Sequence, residues 1–248
     1  MNNETQTTRL TICHRLTMGA GIVLTLLILL PSVATAQPRP GKLSVLPRVG
    51  LTMAKLSDMR LTVINDAGNE TRLSPSFKAG VTAGADIEYQ LTDIVALSVG
   101  AAYSMQGCRY KDYQTAGSED KTYYGTSDHH ISTSYLNIPI MASVYVAKDF
   151  AVKIGVQPGF ALEGYEKYEQ TYFTMRDDGY KDYDATEKYK NDLDMESFDI
   201  AIPVGVSYEY MNVMLDARYN IGLKKVFKDG KDSKNNCFTL TVGYRFTL

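Results

Sequence analysis

The sequence predicts an all-β chain, an eight-stranded antiparallel up-and-down transmembrane β-barrel carried behind a cleaved export signal. Three observations predict it: period-two alternation recurs in eight stretches, the links between them alternate short and long, and aromatic residues gather near both ends of one face.

The first thirty-six residues stand apart from the fold. Arg9 and Arg15 precede the apolar run GIVLTLLILL (21–30), and Ala34-Thr35-Ala36 forms a small-x-small cleavage site before Gln37. A basic start, a short apolar stretch and small residues make the layout of a secretory signal peptide; the run is too short and wrongly flanked for a spanning helix. Residues 1–36 are therefore read as signal peptide and 37–248 as one barrel domain. Of three cysteines, Cys108 and Cys237 remain after cleavage, too few for a disulfide scaffold. Lys and Arg number 26 against 28 Asp and Glu, a net charge of −2, which leaves no footprint for nucleic acid.

The alternating stretches are 43–54, 77–91, 94–107, 135–146, 151–163, 198–210, 213–223 and 237–248. Each is long for a soluble strand and close to the roughly nine to eleven residues that a tilted strand needs to cross a bilayer. Three links are tight: Thr92-Asp93, Ala147 to Phe150, and Met211-Asn212. The other four, 55–76, 108–134, 164–197 and 224–236, are long, so one end of the sheet carries the short turns and the other the loops. Outer-membrane barrels show this asymmetry, with short periplasmic turns and long extracellular loops.

One parity reads Val45, Val49, Leu51, Met53 in the first stretch, Ile200, Ile202, Val204, Val206 in the sixth, and so on through all eight. The opposite parity is largely Gly, Ala, Ser and Thr, with charges at Arg48, Lys78, Asp86, Glu88, Lys153, Glu163, Asp199, Glu209, Asp216, Arg218 and Arg245. A soluble barrel with an apolar cavity would have to present this small-residue face to water, a poor surface for solubility. An eight-stranded barrel has room inside for side chains or one small ligand only. The apolar face is therefore expected in lipid. Tyr89, Tyr208, Tyr210, Tyr244 and Phe246 sit on it near the tight turns, and Phe77, Tyr103, Phe160, Phe198 and Phe238 near the loops, as two interfacial belts would.

The run SYLNIPIMASVYVAKDFAVKIGVQPGFAL (134–162), the pair FDIAIPVGVSYEY and VMLDARYNIGLKKV, and the closing LTVGYRF resemble the outer-membrane β-barrel family of Bacteroidota that includes PorT-like proteins. The resemblance spans essentially the whole mature chain and implies a single eight-stranded barrel in the outer membrane of a Gram-negative cell envelope. PorT itself is implicated in type IX secretion, a role that barrel similarity does not transfer. The chain departs from the commonest ending of the family by adding Thr247-Leu248 after Phe246.

Inward charges of nearly balanced sign are expected to pair across the lumen, with Arg48, Arg218 and Arg245 against Glu88, Glu209 and Asp216, because buried ions need partners. The expected plug leaves no open channel. Asp128, His129 and His130 read as solvated loop residues, since adjacent histidines on an extended chain point to opposite faces. No Ser on the apolar parity has a His in register, so the expectation is no enzyme, no catalytic residue, no metal and no cofactor. A Cys108–Cys237 bridge would have to lean across the mouth, because their strands are not neighbours; the expectation is two free thiols.

Activity is expected in the tyrosine-rich loops: Tyr110, Tyr113, Tyr123 and Tyr124 in the second, and Tyr165, Tyr168, Tyr172, Tyr180 and Tyr183 in the third. Tyr gives a rigid amphipathic contact at low entropic cost; the same residues also suit a β-hairpin rim above the membrane. Expected partners are outer-membrane lipid and an extracellular or envelope protein or glycan. A secretion accessory is the first alternative function, and a barrel enzyme acting on lipids the second.

Overall fold

The structure, a computed structural model, describes residues 40–64, 69–117, 119, 121–228 and 233–248. The expected signal peptide lies outside them.

Every described element is a strand. In chain order they are β1 (Leu43–Leu56), β2 (Leu61–Ile64), β3 (Glu70–Leu73), β4 (Ser76–Gln90), β5 (Val95–Arg109), β6 (Tyr113–Ala116) and β7 (Thr122–Asn137). There follow β8 (Ile140–Ala147), β9 (Phe150–Met175), β10 (Lys181–Asp192), β11 (Phe198–Tyr210), β12 (Val213–Lys225), β13 (Lys234–Tyr244) and β14 (Phe246–Thr247). All pairings are antiparallel, and they run β1–β4–β5, then to β7 and β8 together, then β9–β11–β12–β13 and back to β1. β14 extends β13 along β1, placing Phe246 opposite Val45.

Proline and turn chemistry explain the breaks. Pro139 separates β7 from β8 because it has no N–H to give the ladder; its carbonyl still accepts from Gly100 N at 3.0 Å, and the register with β5 resumes at Ile140 opposite Val99. Met211 and Asn212 both have positive φ, 50° and 67°, between paired Tyr210 and Val213. That is the mirror-image two-residue turn whose twist matches a hairpin. At the first turn, Thr92 Oγ1 accepts from Ile94 N and Val95 N, so the corner needs no further residue.

Burial settles which face is which. Leu51 is 62% exposed and Ile154 56%, and the pattern repeats with Val49, Val81, Leu97, Ile140, Leu215 and Val242 on neighbouring strands. The opposite parity is buried and polar: Thr52, Ser98, Ser143, Asp216, Arg218 and Thr241. Monomeric soluble proteins rarely expose apolar patches above a few hundred Å², and this band runs through every pairing of the ladder. All ten expected belt aromatics are exposed on the same face.

Two long connections differ from open loops. β7 and β9 run on together well past the apolar band, pairing from Thr122–Thr174 to Asn137–Gly159. β9 alone has 26 residues, far more than a spanning strand needs. β6 pairs with β7 and β10 with β9, giving a four-stranded rim sheet β6–β7–β9–β10 at the long-connection end. Alternating Tyr and Thr supply good strand residues there. Beneath the rim an apolar cluster of Leu56, Cys108, Tyr110, Ile131, Val226 and Phe227 caps the polar face, joined by Met59, Leu61, Leu73, Leu193 and Met195.

Candidate functional site

Two regions concentrate chemistry: the buried polar face and the rim. On the polar face the expected charges meet in two layers rather than one set. In the first, Arg48 on β1 donates to both oxygens of Asp86 on β4, Nε to Oδ2 at 3.0 Å and Nη2 to Oδ1 at 3.2 Å. Arg218 on β12 donates through Nη2 to the same Asp86 at 3.2 Å and through Nε to Asp216 at 2.6 Å. Lys153 on β9 completes the layer with Nζ to Asp216 Oδ2 at 2.8 Å. Forked Arg–carboxylate pairs of this kind are strong and directional. Here they tie four strands together across the buried face.

The second layer lies nearer the short turns. Arg245 donates Nη1 to Glu88 Oε1 at 2.7 Å, Nε to Glu209 Oε2 at 2.8 Å and Nη2 to the Tyr145 hydroxyl at 3.2 Å, which in turn donates to Glu88 at 3.3 Å. Of the six residues named from sequence, Arg218 and Asp216 therefore meet, Arg245 meets Glu88 and Glu209, and Arg48 meets none of the expected acids. Its partner is Asp86. Parity had already put Asp86 and Lys153 on this face, but parity cannot say which residues reach one another across it. Tyr145 shares the parity of buried Ser143, a signal that could have found it. Gly100 completes the layer by absence, since a Cβ there would overlap the Asp86 carboxylate.

Glu163 is a correction: it is exposed and pairs with Lys190 at 3.6 Å. Opposite β7, Tyr135 pairs with Ala161 and Ser134 with Glu163, so Leu162 is one residue too many and the bulge flips the parity beyond it. Cys108 and Cys237 are both buried and free.

The rim reverses the expectation for His129. It is only 4% exposed, with Nε2 2.8 Å from Glu166 Oε1 and Nδ1 3.1 Å from the Tyr113 hydroxyl, among the rings of Tyr110, Tyr113 and Tyr168. A bulge at Asp128, whose φ is 49°, turns the chain so that His129 points in. His130 is half-buried and its Nδ1 lies 2.8 Å from the Asp128 carbonyl oxygen. With Glu166 as acceptor, Nε2 carries the proton and Nδ1 accepts from Tyr113. Burial pushes the Tyr113 phenol above its ordinary pKa, which keeps that donor in place.

The expected tyrosines divide between structure and surface. Tyr110 is buried in the cap, its hydroxyl donating to the Met59 carbonyl at 2.7 Å. Tyr123 stacks on Phe173 at 5.3 Å, Tyr168 on Tyr189 at 5.1 Å, and Tyr124 tilts against Tyr172 at 5.4 Å. Lys190 sits 4.3 Å above the Tyr165 ring. Tyr180 and Tyr183 face solvent, 73% and 63% exposed. Among the described residues no group of His, Cys, Asp and Glu could hold a metal ion, and no Ser, Thr or Cys side chain hydrogen-bonds to a histidine.

Comparison with known proteins follows the same lines. Residues 35–228 match the family model described as outer membrane protein beta-barrel domain. No curated protein matches the chain by sequence. Among solved structures, the attachment invasion locus protein Ail of Yersinia pestis, in complex with the heparin analogue sucrose octasulfate, is 13% identical, with 84% of this chain and 99% of that one covered and a TM-score of 0.39. Neisserial surface protein A is 17% identical over 82% of this chain and 97% of its own, with a TM-score of 0.40. The outer membrane protease OmpT of Escherichia coli is 12% identical over 86% and 99%, with a TM-score of 0.32. The chain belongs to the outer membrane protein beta-barrel domain family, and its place is the outer membrane.

Proposed function

We propose that this protein is a closed, eight-stranded outer-membrane barrel with a plugged lumen that works without catalysis, through its extracellular rim, in surface interaction or envelope structure. One observation carries the reading. The carboxylates of the two charged layers, Asp86, Asp216, Glu88 and Glu209, are each paired and an apolar cap covers them, whereas exposed aromatic side chains free of such partners gather on the rim. A lumen filled by ion pairs offers no path, and a rigid tyrosine-rich sheet offers contact area at low entropic cost. The partner class is an extracellular or envelope protein or glycan.

The PorT-like, Bacteroidota assignment rests on the sequence runs 134–162, 198–210, 213–226 and 240–246. It supports a second reading, an accessory of a type IX-like secretion machine acting from the periplasmic turns. Replacing 110–133 and 165–196 by short turns separates the two. Lost surface attachment with normal secretion supports the rim; normal attachment with lost secretion supports the accessory.

A further inference from the structure

The rim sheet borders a cavity of about 800 Å³ beside the β2–β3 hairpin, lined by residues of β2, β3, β6, β7, β9 and β10. Its size is that of an ordinary small-molecule pocket. Tyr113 on β6, Phe173 on β9 and Tyr183 on β10 give it aromatic walls, and Asp112 and Asp184 give it carboxylates. Hydroxyls from β7, β9 and β10, among them Thr126, Thr171 and Thr186, and the Gln114 amide complete the lining. Among the described residues no Lys or Arg lines it.

Two features show that the wall is built. Tyr113 is held by buried His129, which bonds in turn to half-buried Glu166, so its ring is fixed before anything binds. On the opposite wall β10 carries a bulge: Tyr183 pairs with Phe173 and Thr186 with Thr171, leaving Asp184 and Ala185 against Tyr172 alone. Bulges re-aim side chains. Asp184 borders this cavity and a second one beside Tyr124 and Tyr172, and neither it nor Asp112 has an ion-pair partner among the described residues.

From this we infer that the cavity is a binding site for a neutral carbohydrate, a short oligosaccharide whose ring C–H face lies on Tyr183 and whose hydroxyls donate to Asp112 and Asp184. The electron-rich face of an aromatic ring attracts the weakly positive C–H edge of a sugar, and carboxylates, threonine hydroxyls and an amide are the acceptors and donors that hydroxyl groups need. The two carboxylates exclude polyanions such as sulfated glycans. A cationic peptide would leave the threonines and Gln114 unused and would be held mainly by charge, with binding that falls as salt rises. The inference rests on the rim reading above and names its ligand class.

The test uses the mature chain folded in lipid nanodiscs, probed with an array of neutral gluco-, manno-, galacto- and N-acetylglucosamine oligosaccharides of two to six rings, then calorimetry with the best binder. At least one should bind, within twofold at 50 and 500 mM NaCl. Tyr183→Ala should weaken it tenfold or more and Asp184→Asn at least threefold. Gly125→Leu should also abolish binding, because a Cβ there meets nothing closer than 3.7 Å and the side chain can fill the cavity without strain. Heat-modifiable gel mobility confirms that each variant is folded. No binding at millimolar sugar, binding that survives Gly125→Leu, or binding confined to charged probes overturns the proposal. If rim excision abolishes surface attachment while the array stays empty, the carbohydrate inference alone fails; if excision leaves attachment intact, the rim reading fails.

Discussion

The lumen and the rim are made from similar residues and solve opposite problems. In the lumen the buried acids Asp86, Asp216 and Glu88 and the half-buried Glu209 each meet a cation within 3.2 Å. On the rim Asp112 and Asp184 have no such partner among the described residues, and Tyr180 and Tyr183 stand in solvent. The difference follows from dielectric. A charge in the lumen has lost its water and must be paired, whereas a charge on the rim keeps its water whether it is paired, as Asp182 is with Arg176, or unpaired, as Asp112 and Asp184 are among the described residues. Charge in the lumen therefore holds walls together, and the unpaired rim carboxylates Asp112 and Asp184 are available for recognition.

The comparison breaks most visibly at Asp86. Asp86→Ala strands Arg48 and leaves Arg218 only its pair with Asp216, and removing one partner of a buried pair typically costs about 3–5 kcal/mol. The urea midpoint in phospholipid vesicles should fall accordingly, with rim binding intact in the fraction that folds. An unchanged midpoint would show that the layer does not brace the barrel. Next is Gly100→Ala, which forces a methyl into the Asp86 carboxylate; overpacking of this sort costs about 1–3 kcal/mol, and the same unfolding curve reads it.

Much of this contrast was legible in the sequence. Alternation located six of the eight expected strands to within a few residues, since period two is a direct consequence of strand geometry. The stretch 135–146 is instead the end of β7 and most of β8, broken at Pro139, and 151–163 is only the first half of β9. The small, charged parity marked the lumen. What it could not show is distance across the lumen: Arg48 and Arg218 share Asp86 because β1, β4 and β12 converge there, and no local pattern encodes that meeting. The rim was harder. Tyr, Thr, Lys and Asp interleave through 165–192 in a way that suits a solvated loop or a strand equally, and only pairing decides, of β9 with β7 and of β10 with β9. Bulges at Leu162, Asp128 and Asp184 each shift parity by local geometry that composition does not announce, which is why Glu163 turned outward and His129 inward.

Two smaller tests sharpen the rim side. Glu166→Gln turns a charge-assisted bond to His129 into a neutral one, worth about 1 kcal/mol. Hydrogen exchange should quicken in β6 and the outer halves of β7 and β9 while the global unfolding midpoint stays put; a fall in that midpoint would mean that the rim and barrel unfold as one unit. The smallest effect belongs to Arg176→Ala. Its pair with Asp182 at 2.6 Å is more than half exposed on both sides, and such pairs contribute about 0–1 kcal/mol, so stability should not move measurably.

Single-channel recording of the mature protein in a planar bilayer tests the division between braced lumen and working rim most directly. The account predicts no steady conductance from the wild-type monomer, with ion pairs and cap filling the lumen. A large, stable pore from the monomer would contradict it and move the function from the rim to the interior.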